Sequence, residues 1–317
     1  MDTSQPLTSV TVAICTFRRP SLKAALRSLR GQAPVNVDLR VLVIDNDDQP
    51  SAQTLVAACA KDLEYAVEYR HVPGRNIALA RNACLAAAPE GWLAFLDDDE
   101  TAAPGWLAAL VEAAGRGEPA AVFGPVHALY EAGAPAWMRK GDFHSFTVVF
   151  VNGEIRTGYT SNALINLAHP AVTGLRFDLA LGRSGGEDTA YFRQIWRSGG
   201  RFAYADGAVV EEIVVADRAR FGWLVRRRFR YGQTHGHAPG ETRGRFGTLA
   251  AMGPPLAKAA YCGLAALAHL SSPVGWRRYV LRGALHVGVL ARLSGMRDLV
   301  LYGGPAPAAP PLGPVLR

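Results

Sequence analysis

Disulfide and zinc chemistry have little to work with here: the 317 residues carry four cysteines, Cys15, Cys59, Cys84 and Cys262, at spacings that match no metal or redox pair. Such scattered thiols are expected to be buried and free, as in a reducing compartment. Of the eight histidines, His127, His144 and His169 lie too far apart in sequence to suggest a zinc site. No Gly-x-Gly-x-x-Gly follows the first strand-like run and no Walker A loop occurs, so a dinucleotide turn and a P-loop are both disfavoured. Residues 1–6 are polar and lack the apolar stretch of a secretory signal. Long apolar runs are missing too. Residues 259–268 are too short to span a bilayer easily, and residues 279–293 are broken by Arg282, His286 and Arg292. Acidic residues nearly vanish from the final third. Residues 217–317 hold 15 basic and 3 acidic side chains, a net of +12, whereas residues 1–216 hold 19 and 24, a net of −5. The asymmetry implies an acidic-lined body and a basic tail that meets an anionic surface. A nucleic-acid partner is disfavoured because no nucleic-acid motif is present.

What is present is a regular alternation of apolar runs and helical periods. Strand-like runs at 10–15, 39–44, 67–72, 92–96 and 120–126 are separated by stretches of helical spacing. Pro20 suits the first turn of a helix whose Leu22, Leu26 and Leu29 share a face. The pattern predicts an α/β fold with a mostly parallel sheet and helices on both faces. Two runs end in acids at the same sheet edge: Asp45 after one, and Asp97, Asp98, Asp99 and Glu100 after another. Adjacent carboxylates repel, so their clustering implies either a hard divalent cation or the first turn of a helix starting near 102–107. A second acidic pair, Glu187–Asp188, follows Gly185–Gly186 and opens an amphipathic stretch, which reads as a tight turn presenting carboxylates or as a plain helix cap.

Five segments, in order over residues 8–215, resemble the GT-A-fold, inverting, nucleotide-sugar-dependent glycosyltransferases of family 2. They are Val12–Pro20, Val43-Ile44-Asp45-Asn46, Ala80-Arg81-Asn82, Phe95–Glu100 and Gly186-Glu187-Asp188. Within that family the chain is most similar to bacterial exopolysaccharide enzymes of the succinoglycan-assembly type. The resemblance implies a Rossmann-like sheet, with a nucleotide half over about 8–126 and an acceptor half over about 127–215. Composition and charge add a basic and apolar helical extension over 216–302, whose runs at 259–268 and 279–293 read as amphipathic helices lying on a membrane, and a Pro-, Gly- and Ala-rich, disordered tail over 303–317. The resemblance also implies a nucleoside diphosphate sugar donor, a UDP-sugar by preference, and a saccharide or lipid-linked saccharide acceptor. Thr16 and Asp45 would hold the base, Asp45 accepting from uracil N3–H. Phe17 or Arg18 would close over the ring, and Arg75 or Arg81 would contact the nucleotide. Asp99 would be the direct ligand of Mg²⁺ or Mn²⁺, with Asp97 or Asp98 on the ribose or a metal-bound water. Asp188 would be the general base, with Glu187 second to it. Trp137 either walls the acceptor subsite or packs in the core; Asn162, like Gly186, is a candidate for contact with sugar.

In the tail, Arg218, Arg220, Arg226, Arg227, Arg228 and Arg230 interleave with Phe221, Trp223, Phe229 and Tyr231. That pattern fits a helix lying on an anionic membrane, or one packing its aromatics on the body. The expected place is the cytoplasmic face of the cell membrane, peripherally bound. Rival readings are an inactive sugar-nucleotide-binding scaffold, which the intact acids disfavour, and a sugar nucleotidyltransferase, which would carry a Gly-rich loop with lysine after the first strand.

Overall fold

The computed structural model describes residues 8–34, 37–88, 91–236 and 245–297. In chain order its elements are β1 Thr8–Thr16, α1 Leu22–Ser28, β2 Val37–Asp45, α2 Gln53–Ala60, β3 Ala66–His71, α3 Ile77–Ala87, β4 Trp92–Leu96, β5 Glu100–Ala102, α4 Trp106–Ala114, β6 Ala121–Phe123 and β7 Val126–Tyr130. There follow α5 Ala136–Gly141, β8 Phe150–Val151, β9 Glu154–Ile155, β10 Asn162–Asn166, α6 Glu187–Arg197, β11 Phe202–Tyr204, β12 Val210–Val214, α7 Phe221–Gly236, α8 Arg245–Ala268 and α9 Gly275–Leu293.

The main sheet has the order β11-β6-β10-β4-β1-β2-β3. β4, β1, β2 and β3 run parallel, as the apolar, two-sided strands predict, while β10 enters antiparallel between β4 and β6. Val12, Ile14, Val41 and Val43 face one core, with α1, α2 and α4; Ala13, Leu42 and Ile44 face the other, with α3 and α6. Burial of both faces explains why these strands read as continuous apolar runs. β1 leads to β2 on one side, whereas β4 lies on the other. The chain therefore reverses direction across the sheet between β1 and β4, and the carboxyl ends of strands at such a reversal form a crevice.

The run at 120–126 divides in two. Gly124 and Pro125 break it, so that β6 stays in the main sheet while β7 joins a second sheet of order β5-β12-β7. A β-carbon on Gly124 would collide with the Ala208 backbone and the Asn162 side chain, so the crossing between sheets needs glycine. The acids at 97–99 occupy a turn and then β5; the helix that follows starts only at Trp106, capped by Gly105 at φ 79°. The helix-first-turn reading of these acids is thereby replaced by a strand-end turn.

Beyond the second sheet, α9 is sandwiched between α7 and α8. Gly232 on α7 and Gly288 on α9 meet at a crossing where a β-carbon on either would overlap the other helix's backbone. Two aromatics of α7 pack inward: Phe221 on Trp137 of the body and Trp276 of α9, and Trp223 on His144, stacked at 5.3 Å. The expected disordered tail over 303–317 lies outside the described residues.

Candidate active site

The carboxyl ends of β1 and β4 are tied together across the sheet reversal. Thr16 Oγ1 donates to Asp98 Oδ2 at 2.7 Å, with both residues buried. Thr16 was expected on the base; its hydroxyl is instead committed to holding the acidic turn. Asp45 is corrected likewise. It is fully buried, and its carboxylate accepts from the Asp47 and Ala52 backbone N–H groups and from the Tyr69 hydroxyl at 2.9 Å. Three internal donors on a carboxylate with no solvent exposure make it the organiser of the β2 loop, rather than an open acceptor for a base.

The mouth of that loop is formed by other side chains. The guanidinium of Arg18 lies 5.4 Å and that of Arg75 6.0 Å from the Phe17 ring centroid. Arg18 donates to Asp47, and Arg75 pairs with Asp48. Both arginines have a left-handed backbone, φ 55° and 47°, which side-chain-bearing residues adopt only where surrounding structure enforces it. A half-exposed ring beside two planar cations offers flat surfaces for stacking. Phe17, Arg18 and Arg75, three of the residues expected on the nucleotide, are thus neighbours.

Arg81 was placed against the nucleotide. It lies instead in the interior, 8 % exposed, ion-paired with Glu187, itself 4 % exposed. Its second amino group lies 3.9 Å from Asp97 Oδ1. Burial works against the Arg81 charge, but Glu187, Asp97 and Asp188, in that order, outweigh it and hold the guanidinium above its ordinary pKa. Two acidic segments about ninety residues apart therefore converge on one cation.

Asp188 sits in the first turn of α6, half-buried, its Oδ1 accepting the Thr189 N–H at 2.6 Å. Gly186 caps α6 at φ 94°, and a β-carbon there would press on Thr234 of α7, so both backbone conformation and packing require glycine. It lines a shallow recess with room for about 20 Å³, together with Gly185, Thr189, Arg193, Arg230 and Thr234.

Asp99 is half-exposed and receives Arg218 Nη2 at 2.9 Å and Arg19 Nη1 at 3.5 Å. Arg218 also pairs with Glu212. The Arg218 carbonyl accepts from His144 Nε2 at 3.1 Å. Burial, then the Arg227 charge, push His144 down to about 4, which keeps it neutral near pH 7. The sequence reading missed Arg19 and Glu212, and had Arg218 only as one of six tail arginines that would meet an anionic surface or serve the diphosphate. For Glu212 a signal existed: it occupies the inward phase of an alternating strand, Val210-Glu211-Glu212-Ile213-Val214, where apolar residues belong. Glu212 faces Glu100 directly across β5–β12, a like-charge pairing that costs stability.

The acidic turn is short of positive charge. Burial, followed by the neighbouring Asp99, pushes Asp98 up to about 6. Asp97 goes to about 7, through burial chiefly, opposed by Arg81 and aided by Asp99, Asp98 and Glu212; its side chain is 43 % exposed, so water offsets part of that push. Burial raises Glu100 and Glu212 as well. Because the folded-state value of Asp98 lies above the unfolded one, its contribution is best at low pH and worsens as pH rises toward 6. Relative to Asp98→Asn, the ligand-free wild type is expected to lose on the order of 3 kcal/mol between pH 4 and 7. Thermal midpoints of the two proteins across that range measure it; a constant difference would refute the assignment.

Among the described residues, no three Asp, Glu, His or Cys side chains are grouped closely enough to cage a metal by themselves. The donor set is nevertheless all carboxylate oxygen, which suits Mg²⁺ or Mn²⁺; Mg²⁺ in particular is held by one or two carboxylates, with phosphates and water completing its shell.

Two other candidates leave the site. Asn162 is fully buried, accepting from the Trp106 indole at 2.8 Å and donating to the Pro125 and Ala208 carbonyls, so it joins the two sheets instead of meeting sugar. Trp137 packs on Phe143 and Phe221, with the Arg277 guanidinium 4.3 Å from its ring, in the small cluster that seats α7 and α9. The cysteines are free, as expected, but Cys15 and Cys84 come within 3.6 Å of each other.

Residues 11–172 match the family described as glycosyl transferase family 2. The chain is 43 % identical over 295 residues, covering 93 % of itself and 96 % of the relative, to the succinoglycan biosynthesis protein ExoM of Rhizobium meliloti (strain 1021). Among solved structures it resembles the mannosyltransferase PcManGT from Pyrobaculum calidifontis in complex with GDP-Man and Mn²⁺, with a TM-score of 0.60, 18 % identity and coverage of 92 % and 88 % of the two chains. It also resembles GalNAc-T7 with UDP, GalNAc and Mn²⁺, with a TM-score of 0.55, 15 % identity and coverage of 76 % and 53 %. Strand order, the sheet-edge acids and these matches together make the chain a member of glycosyltransferase family 2 with a GT-A fold.

Proposed function

We propose that this glycosyltransferase transfers a sugar, with inversion, from a nucleoside diphosphate sugar to a hydroxyl of a saccharide or lipid-linked saccharide during exopolysaccharide assembly. The observation that supports the proposal is the convergence of Asp97 and Glu187 on Arg81, with the Asp188 charge acting on the same guanidinium, so that the acidic turn after β4 and the start of α6 are neighbours. The kinship with ExoM supports the exopolysaccharide setting.

Phe17, Arg18 and Arg75 stack on and enclose the nucleotide base. Asp99, with Asp97, would hold Mg²⁺ or Mn²⁺; such an ion, when bound, neutralises charge on the leaving diphosphate, worth several kcal/mol. Arg19 and Arg218, which already meet Asp99, lie where they can add positive charge beside that group. Asp188 takes the proton from the acceptor hydroxyl. Its neighbour Glu187 is bound to Arg81 and positions the loop. Since the structural neighbours hold GDP-Man in one case and UDP in the other, and Asp45 is occupied internally, UDP rests on the resemblance alone. Screening UDP- and GDP-sugars for nucleotide release with Mg²⁺ or Mn²⁺ tests the reading; no turnover of any donor would favour the scaffold alternative.

Asp99→Ala is expected to weaken Mg²⁺-dependent nucleotide binding by about tenfold or more in calorimetric titration. Equal affinity of the wild type with and without divalent ions would remove the cation from the scheme. The acceptor is carried at the anionic cytoplasmic face of the membrane, to which the enzyme binds peripherally; no described helix is long and apolar enough to cross a bilayer.

A further inference from the structure

Glu212 stands where an apolar residue belongs, at a cost in stability. It occupies the inward phase of β12, 8 % exposed, and faces Glu100 of β5, 3 % exposed, directly across the strand pair. Like charges so placed repel, and burial leaves little water to screen them. Glu100 has a structural duty, since its Oε2 accepts the Asp97 N–H and closes the acidic turn. Glu212 has a different partner: Arg218 Nη1 donates to its Oε1.

Arg218 is itself fixed along its length. Its N–H donates to the Val215 carbonyl at 2.9 Å, its carbonyl accepts from His144 Nε2 at 3.1 Å, and its guanidinium lies 5.9 Å from the Trp223 ring centroid. From there the two amino groups part: Nη1 goes to Glu212 and Nη2 to Asp99 Oδ2 at 2.9 Å. Arg19 approaches the same oxygen, its Nη1 at 3.5 Å. Among the described residues, Asp99 Oδ1 accepts no hydrogen bond. Guanidinium and carboxylate are planar forks of matching width, and an unrestrained arginine readily takes both oxygens of one carboxylate. Such a grip on Asp99 would cover Oδ1 and set a full positive charge where a divalent cation has to sit. Glu212 opposes it twice over. It holds Nη1 away from Asp99, and its charge offsets that of the guanidinium.

We infer that Glu212 is a positioning residue: by restraining Arg218 to one oxygen of Asp99, it keeps the other open to the cation. This role rests on the cation-binding function proposed above for Asp99 and names the group that keeps that carboxylate available. It also accounts for an acid buried opposite another acid, because partners around a ligating carboxylate decide how that carboxylate is presented.

Titration of the full-length protein with Mn²⁺ alone, read by the loss of the free ion's paramagnetic resonance signal, tests it. The wild type is expected to bind the ion. Glu212→Gln keeps the volume and an acceptor oxygen but not the charge, and should weaken that binding about tenfold. Its thermal midpoint should not fall, because the repulsion from Glu100 goes with the charge. Arg218→Met removes the competing cation and should bind Mn²⁺ at least as tightly as the wild type. In that background Glu212→Gln should cost about threefold at most, the remainder that charge exerts through space. Equal affinity of the wild type and Glu212→Gln overturns the inference. So does an equal loss with and without Arg218, which would make Glu212 only a nearby charge or a packing group. Weaker Mn²⁺ binding by Arg218→Met overturns it too, since the arginine would then be required at Asp99 instead of held off it. A wild type that leaves the Mn²⁺ signal unchanged overturns it as well. Nucleotide release from sugar donors by the same wild-type protein separates the two claims: release that needs a divalent ion leaves the transfer reading standing, and no release from any donor counts against that reading.

Discussion

Asp188→Asn is expected to reduce sugar transfer by roughly 10²–10⁴-fold while nucleotide affinity stays within about twofold of wild type. An inverting transfer is one displacement at the anomeric carbon, in which the attacking hydroxyl must shed its proton as the new bond forms. Asparagine keeps the volume and can still accept the Thr189 N–H, so α6 should begin where it does now. What it loses is the ability to take a proton. Single-turnover rates and calorimetric binding of the nucleotide separate these two properties. Wild-type turnover by the variant would transfer the role to another group. Glu187 is the poorer candidate because its carboxylate is buried against Arg81, and freeing it would break that pair.

Arg81→Met is expected to destabilise the protein by roughly 3–5 kcal/mol, the usual result of removing one member of a buried pair, on the order of 5–15 °C in thermal midpoint for a chain of this size. Methionine fills much of the space but leaves Glu187 buried with no partner, and deprives Asp97 of its nearest cation. The companion Arg81→Met/Glu187→Leu removes both charges together and should recover most of the stability. It should not recover transfer, since Asp97 and the start of α6 would no longer share a tether. Melting curves of the two single variants and the double close the cycle. If Arg81→Met alone melted like the wild type, the buried pair would not be what joins the two halves of the site.

These two substitutions also mark where sequence reading succeeds and where it stops. The place of Asp188 at a helix start was legible because Gly-Gly-Glu-Asp-Thr ahead of an amphipathic stretch is a local pattern: glycine geometry, helix start and acid all lie within five residues. The strands were legible for the same reason. A strand covered on both faces is apolar throughout, and β1, β2 and β4 announce themselves in Val12–Ile14, Val41–Ile44 and Leu93–Leu96. Arg81 was legible only as a residue of interest. An arginine in an alanine-rich helix looks the same whether it turns outward to a phosphate or inward to a carboxylate about a hundred positions away.

The chain alone thus determined that an α/β sheet would form, that acids would gather at its carboxyl edge and that positive charge would collect in the last third, since each follows from neighbours in sequence through propensity, periodicity and charge. Only the folded structure decided which acid meets which cation. It withdrew Thr16, Asp45 and Asn162 into internal hydrogen bonds, joined Glu212 to Asp99 through Arg218, and packed Phe221 and Trp223 of α7 inward while leaving the leucines of α8 exposed. The reason is that side-chain partnership is a competition among groups brought together by packing; a residue's donors and acceptors are fixed by its type, but the groups that satisfy them come from strands and helices whose approach the local sequence does not encode.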